Sequence, residues 1–330
     1  MMVEAQPVSS AVLWGESDRA QLATLRNLPG YRNAAQRAKD VAKVSNGRGI
    51  VDLAGYWTLI AAAFTLVVAT GFHWFAVMVA FIAVAKAQNS LLLVGHEAIH
   101  YLFVRDRRVN DWAGEFLTYA PMGIGFRRAR LSHLDHHRAP LTEADETIDQ
   151  QLSVPSRGAY LRHLAAPLFG SYVATALSRF LGVKLNRRAR PQFTQAARSA
   201  RSDVIGIIIV QVVLVSVLAA IDWRLYVFVW ILPLVTLTAF FHRAKGFIDH
   251  AMLPGESPSL AYSYRVGALD RIFFGTQQAY HAEHHLFPGV PHYRLRMIFA
   301  RESDLPFMRR RGSYFGFLVA YYRAFTRVRM

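Results

Sequence analysis

Residues 74–100 read WFAVMVAFIAVAKAQNSLLLVGHEAIH, an apolar run that ends in two histidines, His96 and His100. The run 74–95 is long enough to cross a bilayer, which takes about 20 helical residues. Runs of similar character occupy residues 54–72, 204–221 and 223–241. Run 54–72 is joined to run 74–95, and run 204–221 to run 223–241, by very short connections. We therefore predict an all-α integral membrane protein with four transmembrane helices in two hairpins.

Two hairpins would place residues 1–52, 96–202 and 242–330 on one side of the membrane. The middle segment is rich in arginine, whereas the two hairpin tips carry at most Arg224, so the positive-inside rule predicts a cytoplasmic location for that side. The net charge of +16 and the 53% hydrophobic content also fit a membrane protein with basic parts outside the bilayer. With four spans we expect anionic lipid headgroups as partners of these basic parts, and no nucleic acid.

Three histidine clusters lie on this same side. Eight of the thirteen histidines fall in three five-residue windows, HEAIH (96–100), HLDHH (133–137) and HAEHH (281–285). Histidines spaced i, i+3 or i, i+4 on a helix share a face and can reach one ion. We predict metal ligation by His96, His100, His133, His136, His137, His281, His284 and His285, whereas the isolated His73, His163, His242 and His292 are expected to be surface or core residues.

The number of ligands predicts two metal ions, because one structural zinc takes about four ligands and a catalytic zinc about three. The chain has no cysteine, which excludes thiolate and iron–sulfur sites, and imidazole suits zinc, copper, iron or nickel.

The remaining segments suggest three parts. We expect residues 1–52 to be a cytoplasmic extension, since they lack the apolar core of a signal peptide. Residues 53–295 would form the membrane catalytic domain, and residues 296–330 a cytoplasmic or interfacial tail. The moderately apolar segments 112–126, 161–183 and 314–330 are predicted to lie at the membrane interface.

The two predicted hairpins and the three histidine clusters together resemble the integral-membrane fatty acid desaturase and hydroxylase superfamily. The resemblance covers roughly residues 50–295 and extends past the clusters, to HLDHHRAPLTEADETID (133–149) and HAEHHLFPGVPHYRL (281–295). It implies a non-haem di-iron centre that activates O₂ to attack an unactivated C–H bond. It also implies a further histidine ligand after the fourth span, here His250 in RAKGFIDH, although Asp249 stands where relatives often have Glu.

Several polar residues accompany the predicted ligands. Carboxylates in or near the clusters are expected to accept hydrogen bonds from ligand rings and orient them: Glu97, Asp135, Asp145, Asp249, Glu283 and, as a weaker candidate, Asp270. Lys86, Gln88 and Asn89 form a polar patch within the second span. Intramembrane charges are often functional, so the patch is predicted either to line a substrate pocket or to be paired for packing.

Alternative functions follow from the same residues. His96-Glu97-Ala98-Ile99-His100 matches the HExxH motif of zinc metalloproteases, but this assignment leaves six clustered histidines unused. A transporter of divalent metal would need ligands at mid-membrane depth, whereas the predicted ligands here lie at the membrane face, so this alternative is less favoured. Within the oxygenase superfamily, desaturation and hydroxylation of a lipid or small hydrophobic metabolite both stay open. We favour a fatty acyl desaturase acting on a lipid or thioester. A front-end desaturase is less favoured for two reasons: the third cluster begins with His281 where such enzymes typically have Gln, and no fused cytochrome b5 domain is visible.

No flavin, haem, iron–sulfur or nucleotide-binding motif is visible in the sequence. The resemblance therefore implies a separate electron donor of ferredoxin or cytochrome type, with its reductase. The arginine-rich face would attract an acidic donor. We expect a multi-pass protein of a bacterial inner membrane, with its active site on the cytoplasmic face.

Overall fold

The computed structural model describes residues 29–138, 145, 154–180, 194–253, 261–275, 279–299 and 308–325. Residues 1–28 of the predicted extension, most of the acidic turn after HLDHH, and residues 300–307 and 326–330 of the predicted tail lie outside the described residues.

The first hairpin consists of two long helices. After helix α1 (Pro29–Val41), helix α2 (Asn46–Ala69) begins with the Ser45 hydroxyl accepting a hydrogen bond from the Arg48 amide, and helix α3 (Trp74–Ile99) runs back alongside it. Gly71 and Phe72 both have positive φ, 59° and 61°, in the turn between α2 and α3. Glycine adopts that conformation at no steric cost, which suits it to the tight reversal.

The second hairpin is one helical stretch with a break. Helix α8 (Thr194–Arg224) is followed by two π-helical segments (Leu225–Ile231 and Leu234–Thr238) and helix α9 (Ala239–His250). Asp222 has extended backbone angles, φ −167° and ψ 120°. The Tyr226 hydroxyl donates to Gln211 Oε1 at 2.8 Å, although 15 residues of straight helix would separate the two by about 22 Å. The chain therefore reverses direction at Asp222.

The two hairpins pack side by side. Trp57 stacks on Trp230 with ring centroids 5.9 Å apart, and at the tips the Arg224 guanidinium lies 3.8 Å from the centre of the Phe72 ring. Three helical stretches of the described chain are long and apolar enough to cross a membrane, Asn46–Ala69, Trp74–Ile99 and Arg201–His250. Their outer surfaces expose large apolar side chains such as Ile205, Ile208 and Val212, as lipid contact requires.

Short helices connect the hairpins. Helix α4 (Arg107–Ala113), a π-helical segment (Gly114–Tyr119) and a 3₁₀ turn (Ala120–Met122) lead into helix α5 (Phe126–Arg138), which carries the second histidine cluster. Helix α6 (Arg157–Ala165), a 3₁₀ turn (Ala166–Phe169) and helix α7 (Ser171–Phe180) follow. These helices expose large apolar side chains, among them Trp112, Leu161, Phe169 and Leu177, and their interfacial position stays a prediction.

The segment after the second hairpin contains a small sheet. Strand β1 (Ala261–Tyr264) pairs in parallel with strand β2 (Met308–Arg311), with Ala261 opposite Met308. Between them lie helices α10 (Ala268–Phe273), α11 (His281–Leu286) and α12 (His292–Phe299), and helix α13 (Tyr314–Ala324) follows β2. The expectation of a purely α-helical chain was therefore wrong in this detail. Four-residue strands are too short to show a period-two pattern in the sequence.

Helix α1 packs against the segment that follows the third histidine cluster. The Tyr31 ring stacks on Phe287 at 5.5 Å, and Ala34 and Ala38 share a small apolar core with Leu295 and Ile298. Helix α1 of the predicted extension is thus packed into the fold beside the segment that follows the third cluster.

Candidate metal centre

Four helices bring nine histidines together at one end of the two hairpins. His96 lies in the last turn of α3 and His100 directly follows that helix, while α9 ends at His250. The remaining six side chains project from α5 and α11 and complete two groups, one of His96, His100, His133, His137 and His284 and one of His136, His250, His281 and His285. Within each group, one ring nitrogen from each histidine lies within 4.8 Å of the corresponding nitrogens of the others.

The first group centres on His133. Its Nε2 atom lies 2.8 Å from Nε2 of His96, 2.9 Å from that of His100 and 3.0 Å from that of His137. Nε2 of His137 also lies 3.1 Å from Nε2 of His284. All three sequence clusters therefore contribute to this group.

The second group has the same character with one ligand fewer. Nε2 of His285 lies 3.2 Å from Nε2 of His136 and 3.1 Å from that of His281, which in turn lies 3.0 Å from Nε2 of His250. The structure thus places His250 among the histidines of the second and third clusters.

Hydrogen bonding alone does not explain these contacts. A neutral imidazole nitrogen carries either one N–H or one lone pair, so it makes one ring hydrogen bond. Nε2 of His133 nevertheless has three nitrogen neighbours within 3.0 Å. Converging lone pairs are satisfied by a shared cation. Metal–nitrogen bonds of about 2.0–2.1 Å place neighbouring ligand nitrogens about 2.9–3.4 Å apart, which is close to the 2.8–3.2 Å between the Nε2 atoms here. Both groups therefore fit a metal ion.

Burial favours the neutral form of several of these rings. It lowers the pKa of His133 and of His284 well below the ordinary value, and repulsion from neighbouring imidazoles lowers it further. In the second group burial likewise lowers the pKa of His281 and of His285, again with repulsion from the other rings. A neutral ring offers its lone pair without first losing a proton, as metal ligation requires.

The two groups differ in their access to solvent. All four histidines of the second group are buried, whereas His100, His133 and His137 of the first group are partly exposed. The second group is therefore the more enclosed of the two.

Two of the predicted carboxylates contact or approach ligand rings of the second group. Oδ2 of the buried Asp145 lies 2.7 Å from Nδ1 of His136. Asp249 is buried and accepts a hydrogen bond from the Lys245 ammonium group. Its Oδ2 atom lies 3.8 Å from Nδ1 of His281. A carboxylate at Nδ1 holds the proton there and directs Nε2 toward the metal, because the two nitrogens of a neutral ring share one proton.

Glu97 and Glu283 connect the clusters to neighbouring segments of the chain. Glu97 Oε2 accepts a hydrogen bond from the His292 amide at 3.1 Å and lies 3.2 Å from Nδ1 of that residue, while Oε1 is 4.0 Å from Nδ1 of His96. Glu283 is fully buried, accepts from the Ser263 hydroxyl and lies 3.2 Å from the Arg310 guanidinium. The two glutamates tie the first and third clusters to α12 and the small sheet.

The structure places Asp135 and Asp270 away from the histidine rings. Asp135 pairs with Arg138 at 2.6 Å on the outside of α5. Asp270 is buried and accepts from the amides of Gly267 and Phe315 at 2.8 and 3.2 Å. Within the described residues neither carboxylate contacts a histidine of the two groups. Both therefore stabilise the local fold and do not orient a histidine ring.

The polar patch of the second span is only partly satisfied. The Gln88 side chain donates to the Trp230 carbonyl at 2.9 Å and accepts from the Thr238 hydroxyl at 2.7 Å, which ties α3 to the second hairpin. Lys86 donates to Ser90 at 2.9 Å, and the amide nitrogen of the buried Asn89 has no partner in the part of the chain that the structure describes.

Most of the supporting residues around the site had no signal in the sequence. Ser263 and Arg310 come from the two strands, and Lys245 lies one helical turn before Asp249. Arg130 on α5 donates to the carbonyls of Ala98 and Ile99, at 2.8 and 3.1 Å, and so binds the end of α3. The i, i+4 spacing of Lys245 and Asp249 is the one pattern that could have indicated a pair. The other contacts join distant parts of the chain.

The zinc metalloprotease alternative is not favoured. Such an enzyme uses two histidines of HExxH with the intervening Glu as general base. Here the Glu97 carboxylate is engaged by His292, and His96 and His100 belong to a group of five histidines beside a second group of four.

Comparison with known proteins agrees with this geometry. The sequence profile of the family described as fatty acid desaturase matches residues 72–317. Similar proteins include the beta-carotene ketolase of a Paracoccus species (25% identity, 65% of this chain and 76% of the relative). Another is the sn-1 acyl-lipid omega-3 desaturase (ferredoxin) of a Nostoc species (24% identity, 68% of this chain and 66% of the relative).

A third relative is the Delta(9) fatty acid conjugase-like enzyme of Dimorphotheca sinuata (28% identity, 62% of either chain). The chain thus spans about three-quarters of the ketolase and just under two-thirds of the other two proteins. Because the family profile covers most of the chain and all nine clustered histidines, this protein is a membrane-type oxidoreductase of the fatty acid desaturase family.

Proposed function

We propose that this protein is a four-span, O₂-dependent di-iron desaturase that removes hydrogen from a fatty acyl chain of a lipid or thioester. The proposal rests on one observation, two adjacent groups of five and four histidine ligands. Neutral imidazole suits iron, and the absence of thiol ligands leaves the site without an easily oxidised group. Family membership supports iron over the other metals that imidazole accepts.

The chain reversal at Asp222 supports the count of four spans. The helical stretch Arg201–His250 has 50 residues, about 75 Å of straight helix, against a hydrocarbon core of about 30 Å. Divided at Asp222, it supplies two spans. His96 at the end of α3 and His250 at the end of α9 then lie at the same membrane face, and the arginine-rich connection supports a cytoplasmic position of that face in a bacterial inner membrane.

The protein's own residues would hold two irons, keep the ligands neutral and exclude water. His136 is fixed by Asp145, and the rings of the second group are buried away from solvent. Two bound irons would supply the electrons that cleave O₂ and the oxidising power that breaks a C–H bond. In the overall reaction the substrate loses two hydrogen atoms from adjacent carbons, while O₂ takes these, two donor electrons and two protons to give two waters.

The names of the relatives support an acyl substrate. One relative is named as an acyl-lipid desaturase and another as a fatty acid conjugase-like enzyme. The partly satisfied patch of Lys86, Gln88 and Asn89 lies on α3 about 10–15 Å of helix before His96, and we assign it to the substrate pocket. Residues 53–295 would form the catalytic domain, supported from both sides by α1 and by Arg310 of the tail.

We further propose a ferredoxin-type electron donor, since one relative is named with that donor. The exposed arginines of the connection would attract an acidic protein, and salt screens such attraction with a Debye length of about 10 Å at 0.1 M. Turnover with a reduced ferredoxin should fall as salt is raised. Turnover that is unchanged at high salt would count against electrostatic docking.

The decisive experiment is mass spectrometry of lipids and fatty acids from cells that express the wild type or the His136→Ala variant. A loss of two mass units in an acyl chain, in the wild type alone, would establish the desaturase and locate the new double bond. A gain of sixteen would replace desaturation by hydroxylation. Neither shift, in protein shown to contain iron, would overturn the acyl assignment.

A further inference from the structure

Helix α5 carries His133, His136 and His137 but has no capping residue of its own. The first amides of a helix lack intrahelical acceptors, and a Ser, Thr, Asp or Asn just before the helix normally provides one. The residues before α5 are Gly123, Ile124 and Gly125, none of which has a side-chain acceptor. The N-terminus of the helix with three of the nine histidines must therefore be satisfied from elsewhere.

Asp203 supplies the missing cap from the second hairpin. Its Oδ1 atom accepts from the Arg127 amide at 3.1 Å and its Oδ2 atom from the Arg128 amide at 2.9 Å. The carboxylate is 4% exposed, and its negative charge lies at the positive end of the helix dipole. A residue near the start of the third membrane-length segment thus fixes the beginning of α5.

Two glycines make room for this arrangement. A Cβ atom on Gly125 would lie 2.5 Å from Asp203 Oδ2, so only glycine lets the carboxylate reach the helix end. One turn after Asp203, a Cβ on Gly206 would lie 2.6 Å from Glu115 Oε1. The Arg127 guanidinium lies 3.0 Å from Glu115 and 3.8 Å from Asp203, which joins the two carboxylates.

We propose that Asp203 is a positioning residue for the metal centre, acting through α5 on both groups of histidines at once. His133 and His137 belong to the first group and His136 to the second, so a displaced α5 disturbs both. This inference rests on the proposed metal-binding function. It assigns to the second hairpin a role beyond crossing the membrane, since that hairpin sets where the second histidine cluster stands.

The test is iron binding by the purified protein, measured as iron per chain over graded free iron, with Mössbauer spectroscopy of ⁵⁷Fe-loaded protein to tell the two groups apart. Asp203→Ala and Gly125→Ala are expected to weaken retention at both groups, by about 10- to 100-fold in dissociation constant, as loss of a ligand-orienting partner does. Gly125→Ala removes no polar group, so its effect isolates the approach of the carboxylate. Asp203→Asn keeps one acceptor oxygen and should restore part of the affinity.

The matched control is Asp106→Ala, which removes the capping carboxylate of α4, a helix that carries no histidine, and should leave metal content unchanged. Circular dichroism and the thermal midpoint report whether each variant folds. If Asp203→Ala does not fold, metal binding by Asp203→Asn and Gly125→Ala tests the inference. Unchanged metal retention in folded variants, or loss from one group alone, would overturn the inference. A wild type that binds no metal would instead overturn the proposed function.

Discussion

The imidazole of His136 and the carboxylate of Asp145 form a buried contact, with Nδ1 2.7 Å from Oδ2. A carboxylate in this position fixes the orientation of the ring and makes the ligand more basic. We expect Asp145→Ala to weaken metal binding at the second group by about 10- to 100-fold and to leave the first group filled. Metal analysis after equilibration at graded free iron measures the change.

Asp135 provides the control for that experiment. It lies one residue before His136, but its carboxylate pairs with Arg138 on the exposed side of α5. Asp135→Ala should therefore bind metal like the wild type. Equal losses in the two variants would show that charge near the cluster matters and that the contact with His136 does not.

The division of the histidines into two groups predicts selective losses. His133→Ala removes the centre of the first group and should leave about one metal per chain, held by the second group. His281→Ala should do the converse. The two half-sites can be compared by metal analysis and by Mössbauer spectroscopy of ⁵⁷Fe-loaded protein, with His73→Ala, at the far end of the first hairpin, as a control. Complete metal loss in both single variants would contradict two separable groups.

The Ser263 hydroxyl supports the buried Glu283. Removing it leaves a buried carboxylate oxygen without its donor, which costs about 1–3 kcal/mol. We therefore expect Ser263→Ala to lower the free energy of unfolding by that amount in detergent. Thr65→Ala, which loses an exposed hydroxyl bonded within its own helix, should have a much smaller effect on the same unfolding measurement. A loss of equal size in both variants would remove Glu283 from the explanation.

The proposed four spans predict the accessibility of engineered cysteines. The chain has no cysteine, so each introduced thiol is the only reporter. Gly47→Cys and Arg138→Cys should react with a membrane-impermeant reagent from the cytoplasmic side, and His73→Cys and Trp223→Cys from the opposite side. A Trp223→Cys protein labelled only from the cytoplasmic side would show that Arg201–His250 does not form two spans.

The local part of the site was predictable because metal ligation leaves a short-range pattern. Histidines at i, i+3 and i+4 identify the helices that carry ligands, whatever the rest of the fold. Spacing alone did not divide them into groups. Neighbours on a helix point about 100° apart, so His136 and His137 enter different groups, as do His284 and His285. Only the packing of α5 against α11 determines which ring meets which.

The supporting contacts could not be predicted, because they join residues far apart in the chain. Asp203 reaches the amide of Arg127 across 76 positions, and Glu97 meets the amide of His292 across 195. His292, expected to be an ordinary surface or core residue, is the N-terminal residue of α12 beside the first cluster. Hydrophobic periodicity reports burial of one face and carries no information about such pairings.

The unequal enclosure of the two groups bears on how preparations of this enzyme should be handled. In the proposed di-iron protein a chelator would reach the partly exposed rings of the first group directly, whereas the second group would have to open before its ion could leave. Dialysis would then empty the sites in a fixed order, and a sample with one ion per chain would be a single species instead of a statistical mixture. Reconstitution with a different second ion would yield a defined heterobimetallic protein, in which the one remaining iron can be studied without signals from the other site.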